Sequence, residues 1–148
     1  MKALLAMLCA VPALCSLPAA AQTYRSNEHS FRVVTVVEGL EQPWSLAFLP
    51  DGRMLATEKA GRLPLIANGS LHPTPIGGLP EVTVHGQGGL QDVVLHPQFG
   101  SNQLVYFSFA ARGKDGVGTE LARGRLARHR LENVQVLFRQ VPKGSRGQ

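Results

Sequence analysis

The fold is decided by the stretch SLAFLPDGRMLATE, which occupies residues 45–58. Two short β-type runs, residues 45–49 and 53–58, flank the sequence Pro50-Asp51-Gly52. Proline presets φ for a turn, and glycine adopts a positive φ there without steric cost. Two such runs separated by such a turn predict a pair of neighbouring β-strands.

A similar pattern recurs further along the chain. LAFLP ends at Pro50, VVLHP ends at Pro97, and the two prolines are 47 residues apart. Each is followed by a second β-type run, at residues 54–57 and 105–108. A repeat of roughly 40–50 residues with about four strands per unit is typical of β-propeller blades. Two copies could also arise in a β-sandwich, so the repeat favours a propeller without deciding it.

The rest of the sequence beyond residue 30 is also β-type. No stretch has sustained 3.6-residue apolar periodicity, so an all-β fold with almost no helix is predicted. Residues 31–148 suffice for roughly two to three blades, whereas a closed propeller has about four to eight. The expectation is a partial β-propeller domain over residues 31–148, after a polar lead-in at 22–30. The other predicted β runs are residues 31–37, 62–66, 90–95, 103–110, 120–127 and 134–140.

The first 21 residues have the organisation of an export signal. Lys2 gives a positive start, residues 3–14 form an apolar run, and Ala19-Ala20-Ala21 supplies the small residues that signal peptidase recognises. Cleavage before Gln22 and a periplasmic or secreted protein are therefore predicted. The apolar run is shorter than the ~20 residues of a membrane-spanning helix, which makes a retained anchor the less favoured alternative.

The remaining composition excludes several chemistries. Both cysteines, Cys9 and Cys15, fall inside the export signal, so the mature chain has neither a disulfide framework nor a thiolate metal site. Much of the formal net charge of +5 comes from arginines between residues 123 and 130, where Arg123 and Arg125 share one strand face. A solvated strand face explains them better than a nucleic-acid patch, so no nucleic-acid partner is expected.

Six large apolar residues are predicted to contribute to the β core. They lie in the alternating or continuous apolar runs that strands between packed blades require. Replacing a buried Phe by Ala typically costs about 3–5 kcal/mol, which makes the prediction testable. The six residues are Trp44, Leu46, Phe48, Leu95, Tyr106 and Phe107.

The most informative segment for function is VHGQGGLQDVVLHP, residues 84–97. Glycines around the amide side chain of Gln87 let the backbone approach a ligand closely, and the amide can both donate and accept. Gly86-Gln87-Gly88 superficially resembles a phosphate-binding loop, but such loops open a helix and this one runs into a β-type segment. A glycine-rich turn between blades is the alternative that composition alone favours.

Three segments together are more specific. GLEQPWSLAFLPDG at residues 39–52, HGQGGLQD at residues 85–92 and VLFRQ at residues 136–140 resemble the soluble aldose sugar dehydrogenases that use pyrroloquinoline quinone. These enzymes belong to the glucose/sorbosone dehydrogenase family, and the resemblance runs from about residue 31 to the last residue. It implies a six-bladed propeller in which the quinone lies over the central cavity beside a calcium ion.

The resemblance implies a role for one residue of this chain. Gln87 occupies the position of the glutamine that contacts the quinone cofactor in the family. His85 and Asp92 flank it without an implied role, and a structural role is favoured for both. The histidines to which no site role is given are His29, His72, His96 and His129.

The family's catalytic groups are expected outside this sequence. The resemblance places the general base, a histidine in a His-Phe-Gly-type motif, soon after the segment 136–142, and the sequence stops at Gln148. The arginine that polarises the quinone and the calcium ligands lie further on in the family. No catalytic or metal-ligating residue is therefore expected in this chain.

Two classes of function remain open at this point. The favoured hypothesis is an inactive N-terminal part of an enzyme that transfers hydride from C1 of an aldose to the quinone, with a separate electron acceptor. The alternative is an exported propeller that binds a partner without catalysis. A complete small β-sandwich that binds a surface partner is the third and least favoured interpretation.

Overall fold

The computed structural model describes residues 22–144. The predicted export signal, with Cys9 and Cys15, lies outside the described residues. Within those residues the only helix is α1 (Phe99–Asn102), which confirms the prediction of an all-β fold with almost no helix. No helix in this part of the chain is long and apolar enough to cross a membrane. The strands are β1 (Thr23–Arg25), β2 (Ser30–Arg32), β3 (Pro43–Phe48), β4 (Met54–Glu58), β5 (Leu65–Ala67), β6 (Ser70–Leu71), β7 (Leu90–Leu95), β8 (Leu104–Gly113), β9 (Gly116–Ala127) and β10 (Arg130–Arg139).

The chain divides into two compact units, and the first ends at Thr35. Its strands β1 and β2 pair antiparallel, with Tyr24 opposite Phe31 and their rings stacked 5.8 Å apart. Cross-strand aromatic pairs of this kind stabilise a hairpin. The polar lead-in predicted over residues 22–30 therefore contains a strand. The β run predicted over residues 31–37 is a strand only as far as Arg32. Arg32 pairs with Thr23, the first residue of β1, and the pairing between the two described strands ends there.

The second unit begins at Val36 and contains two four-stranded antiparallel sheets. The first sheet has the order β3-β4-β5-β6 and the second has the order β7-β8-β9-β10, so each is an up-and-down meander in chain order. β3, the first strand of one sheet, packs beside β7, the first strand of the other. Two successive four-stranded meanders with their first strands side by side correspond to the two propeller blades that the repeat predicts.

The tight turns of the first sheet follow from their residues. Between β3 and β4, the Leu49 amide donates to the Arg53 carbonyl at 2.8 Å, and Gly52 has a φ of 85°. The turn predicted at Pro50-Asp51-Gly52 is thereby confirmed. Between β5 and β6, Asn68 and Gly69 have φ values of 51° and 71°. Positive φ at both central residues is the requirement of a type I′ hairpin turn.

An apolar core joins the two sheets. Phe107 and Phe109 of β8 are each 1 % exposed, and their rings lie 5.8 Å apart. Leu55 of the first sheet and Leu90 of the second are fully buried in the same cluster. Burial of apolar area of this kind is the main stabilising contribution to a folded domain.

The core prediction is confirmed for Phe107 and for Leu95, which packs against the core cluster, and it is wrong for three of the other residues. Phe107 is buried, and Leu95 and Tyr106 are half-buried. On β3 the alternation of side chains places Ala47 in the core and its neighbours on the opposite face. The prediction was wrong for these neighbours, because that face is turned away from the second sheet. They are Trp44, Leu46 and Phe48, which are 51 %, 45 % and 70 % exposed.

Candidate functional site

Residues 85–88 form a tight turn just before β7. The Gly88 amide donates to the His85 carbonyl at 2.8 Å, and the His85 amide donates to the Gly88 carbonyl at 3.2 Å. Gly86 has a φ of 56° whereas Gln87 is not among the residues with positive φ, which is the pattern of a type II′ turn. Gln87 is exposed at the tip, and its side chain forms no hydrogen bond to any residue of the described range.

Two of the three glycines around Gln87 are explained by packing of the sheet. A Cβ on Gly88 would lie 2.9 Å from the Cβ of Ala110 on β8. A Cβ on Gly89 would lie 2.3 Å from the backbone oxygen of Lys59, closer than any side chain can approach. We predicted from the sequence that these glycines bring the backbone close to a ligand. In the structure Gly88 and Gly89 let the turn approach the neighbouring strands, and Gly86 supplies the positive φ, while the close approach to a ligand stays a prediction.

Lys59 holds the turn from the other sheet. Its Nζ donates to the carbonyl oxygen of Gly86 at 2.7 Å. Its backbone carbonyl accepts the Leu90 amide at 3.1 Å, and its backbone amide donates to the Gln42 carbonyl at 3.1 Å. The sequence alone predicts no role for Lys59, since a lysine in a turn after a strand carries no signal of its own. Its contact with Gly86 arises only when the two sheets pack.

A buried carboxylate fixes the segment that carries Lys59. Glu58 is fully buried, and its side chain accepts the Glu41 amide at 2.6 Å and the Arg62 Nε at 2.5 Å. The hydrogen bond to Glu58 raises the pKa of Arg62 above its ordinary value. The Glu58 amide in turn donates to the Arg62 carbonyl at 2.9 Å, which closes a short turn around Lys59. The backbone of Lys59 is therefore held on both sides.

The two first strands are joined beside this turn by polar side chains. Ser45 on β3 donates from its Oγ to Asp92 Oδ1 on β7 at 2.5 Å. Thr57 on β4 donates from its Oγ1 to the Gln91 carbonyl at 2.5 Å and accepts the Ser45 amide at 2.9 Å. Asp92 Oδ1 also accepts the Val93 amide at 3.0 Å. These contacts fix the position of β7, into which the Gln87 turn runs.

The remaining histidines have contacts outside the turn. His96 accepts the Gln98 amide at 3.0 Å through Nδ1. The rings of His72 and His129 stack with their centres 4.2 Å apart. No group of three or more His, Cys, Asp or Glu side chains in residues 22–144 is arranged to hold a metal ion.

The arginines of the basic stretch make contacts along the second sheet. Arg123 on β9 donates to Gln135 Oε1 on β10 at 3.1 Å. Arg125 is paired with Glu132 on the same two strands. These cross-strand contacts between exposed side chains agree with a solvated strand face.

Comparisons with known proteins identify relatives of this chain. The family model described as glucose/sorbosone dehydrogenase matches residues 40–148. The aldose sugar dehydrogenase YliI of Escherichia coli (strain K12) is 36 % identical over 119 residues, which are 78 % of this chain and 32 % of the relative. A crystal structure of a glucose dehydrogenase is 50 % identical with a TM-score of 0.70, and the match covers 74 % of this chain and 33 % of that one.

A third relative was solved with its cofactor. The structure of the pyrroloquinoline-quinone-bound form of aldose sugar dehydrogenase from Streptomyces coelicolor is 27 % identical, with a TM-score of 0.64. The match covers 86 % of this chain and 37 % of that one. This chain spans about a third of the length of the relatives it matches.

The two meander sheets and their structural neighbours define the fold class as that of the β-propeller sugar dehydrogenases. The chain belongs to the glucose/sorbosone dehydrogenase family. The resemblance stated from the sequence is thereby confirmed. The contact of Gln87 with the quinone is tested by none of these observations and stays a prediction.

Proposed function

We propose that the protein to which this chain belongs oxidises aldose sugars by transfer of hydride from the sugar C1 to pyrroloquinoline quinone. The observation that carries the proposal is the Gln87 turn, an exposed amide at the tip of a glycine turn next to the first strands of two propeller blades. Quinone use by a related aldose sugar dehydrogenase supports it. An electron acceptor other than the sugar must then reoxidise the cofactor.

The residues of the turn fit a quinone. The Gln87 amide is exposed and uncommitted within the described residues, and a glutamine amide both donates and accepts. Its N–H groups match the acceptor oxygens of a quinone. When bound, the quinone supplies the two-electron acceptor of the reaction, which no amino-acid side chain provides. Gln87 would hold and orient the cofactor without moving a proton.

The other groups of the reaction are assigned to the rest of the whole protein. We propose that the calcium ligands and the catalytic base lie outside residues 22–144. No residue of that range is assigned either role. On this proposal residues 1–148 alone do not reduce a dye with glucose, quinone and calcium.

We also propose that residues 1–21 direct the protein to the periplasm or out of the cell and are removed before Gln22.

The assignment of Gln87 is tested by the variant Gln87→Ala in the whole protein. The dissociation constant of the quinone should rise by about 5- to 150-fold, which corresponds to the ~1–3 kcal/mol cost of leaving a buried acceptor unpaired. Gln98→Ala is the matched control, because Gln98 is also exposed and its side chain forms no hydrogen bond within the described residues. The measurement is a quinone titration of the apoprotein by calorimetry.

The outcomes separate the assignment from the function. An unchanged dissociation constant in Gln87→Ala would remove Gln87 from the cofactor site. A wild-type whole protein that binds no quinone and reduces no dye with any aldose would overturn the proposed activity and favour a non-catalytic binding module.

N-terminal sequencing of the exported protein should begin at Gln22, and a membrane-retained form with residues 1–21 would contradict the export proposal.

A further inference from the structure

We propose that Lys59 is a positioning residue for Gln87, a role that rests on the proposed function. The Lys59 Nζ donates to the carbonyl oxygen of Gly86 at 2.7 Å, and this carbonyl belongs to the peptide that joins Gly86 to Gln87. Lys59 directly follows β4 of the first sheet, whereas the Gln87 turn leads into β7 of the second. The contact therefore links the orientation of the turn to the packing of the two sheets.

The peptide between Gly86 and Gln87 is the part of this turn that can still rotate. Its ends are fixed because His85 and Gly88 exchange two backbone hydrogen bonds. Turns of types II′ and I′ differ by a rotation of the peptide between the two central residues, with positive φ at the first residue only or at both. The glycine at position 86 tolerates either form. Since the rotation changes φ of Gln87, it also changes the direction of the Gln87 side chain.

The geometry of Lys59 selects one of these two forms. Its ammonium group bonds the Gly86 oxygen in the observed orientation, and a rotated peptide would carry that oxygen away from Nζ. The Lys59 backbone cannot follow, because it is bonded to Gln42 on one side and to Leu90 on the other. No carboxylate of residues 22–144 forms an ion pair with Lys59, so nothing in this range competes for the ammonium group.

The test compares three lysine variants of the whole protein, each titrated with quinone as the apoprotein. Lys59→Met keeps the aliphatic stem and removes the donor, and it should raise the quinone dissociation constant by about 3- to 10-fold, the loss of one ordinary hydrogen bond. Lys59→Arg restores a cationic donor and should recover most of the affinity. Lys114→Met is the control, since Lys114 is exposed in the turn between β8 and β9. Lys59→Leu, which also has no donor, replaces Lys59→Met if the latter is insoluble.

A double-mutant cycle separates positioning from a general structural effect. Because Lys59 acts through Gln87, adding Lys59→Met to Gln87→Ala should change the quinone dissociation constant by less than about 2-fold. An equal loss in both backgrounds would overturn the proposal, as would full affinity of Lys59→Met alone.

A measurement made without the cofactor tests the role of Lys59 independently of the proposed function. The three-bond HN–Hα coupling of Gln87 depends on its φ, and it should differ in Lys59→Met from the value shared by the wild type and Lys114→Met, because rotation of the peptide between Gly86 and Gln87 changes φ of Gln87. If the wild-type protein binds no quinone, the proposed function fails and this coupling alone decides whether Lys59 fixes the turn. An equal coupling in all three proteins would refute that role.

Discussion

Apolar residues lie on the face where the two sheets meet and also on the faces that point away from each other. The two kinds of face differ in how far these residues are buried. On β3, Ala47 is 7 % exposed on the shared face, whereas Phe48 next to it is 70 % exposed. On β7, Val93 is 2 % exposed and Val94 is 51 % exposed. Adjacent apolar residues of the same strand therefore have opposite environments.

This difference teaches what a continuous apolar run means. A strand covered on one face alternates apolar and polar residues, whereas a strand covered on both faces is apolar throughout. β3 and the second half of β7, residues 93–95, have nearly continuous apolar runs, yet residues 36–144 cover one face of each strand. Large exposed apolar faces are typical of surfaces that bind another part of a protein. We expect further blades to cover them in the whole protein, as the proposed propeller requires.

The largest effect should come from the shared face. Phe107→Ala removes a ring that is 1 % exposed and in contact distance of Phe109. The free energy of unfolding should fall by about 3–5 kcal/mol, the transfer cost of the ring plus the cavity it leaves. Urea unfolding followed by tryptophan fluorescence measures it. A loss below about 1 kcal/mol would mean that the two sheets do not form a common core in solution.

A smaller loss should follow from adding a single methyl group where the sheets touch. Gly89→Ala places a Cβ 2.3 Å from the Lys59 carbonyl oxygen, and a backbone atom cannot move aside as a flexible side chain can. Such overpacking typically costs about 1–3 kcal/mol in the free energy of unfolding.

Gly100→Ala in α1 is the control for this substitution, because a Cβ there meets no atom within 4 Å and φ is not positive. It should change the same unfolding free energy by about 0.5 kcal/mol or less. Equal effects of the two alanines would show that the close approach of the Gln87 turn to Lys59 is not part of the solution structure.

The exposed face should respond weakly in this chain. Phe48→Ala removes a ring of the same size as Phe107, but at 70 % exposure the loss should be about 0.5 kcal/mol. In the whole protein the same substitution should cost about 3–5 kcal/mol if a further blade covers Phe48. Thermal or urea unfolding of both proteins measures the contrast. A small loss in both would mean that this face of β3 has no packing partner.

Much of the fold could be predicted from the sequence because its turns carry local signals. Gly52 and the prolines at positions 50 and 97 mark where strands end, and the apolar runs between them give the strands. The face that each side chain occupies could not be predicted for β3. A continuous apolar run has no polar side to indicate direction, so Phe48 was assigned to the core although it is exposed.

The candidate site was predictable only in part for a related reason. The tip residue Gln87 stands out because glycines surround it and because the segment resembles a known family. The contact from Lys59 joins positions 27 residues apart on different sheets, and no local pattern encodes it. The same holds for Ser45 and Asp92, which meet only because β3 packs beside β7.

The smallest expected effect lies at the rim, in the turn between β3 and β4. Arg53 bonds Asp51 at 2.7 Å, and this hydrogen bond lowers the pKa of Asp51 below its ordinary value of 3.8. A lowered folded-state pKa stabilises the fold above the unfolded pKa, and the contribution is lost as the pH falls through the folded value. Both side chains are more than a third exposed, so solvent screening limits the contribution to a few tenths of a kcal/mol.

Asp51→Asn isolates this charge, because asparagine keeps the oxygen that accepts the Arg53 amide at 3.1 Å. The variant should lose about 0.2–0.5 kcal/mol of unfolding free energy near pH 6. The difference from the wild type should shrink below pH 4, where Asp51 becomes protonated in both states. It should also shrink at an ionic strength of about 0.5 M, because salt screens the charges. In an Arg53→Gln background the substitution should have no pH-dependent effect. A difference that grows as the pH falls would reverse the sign worked out for Asp51. A loss as large as that of Phe107→Ala would mean that burial does not separate the strongly from the weakly stabilising positions of this chain.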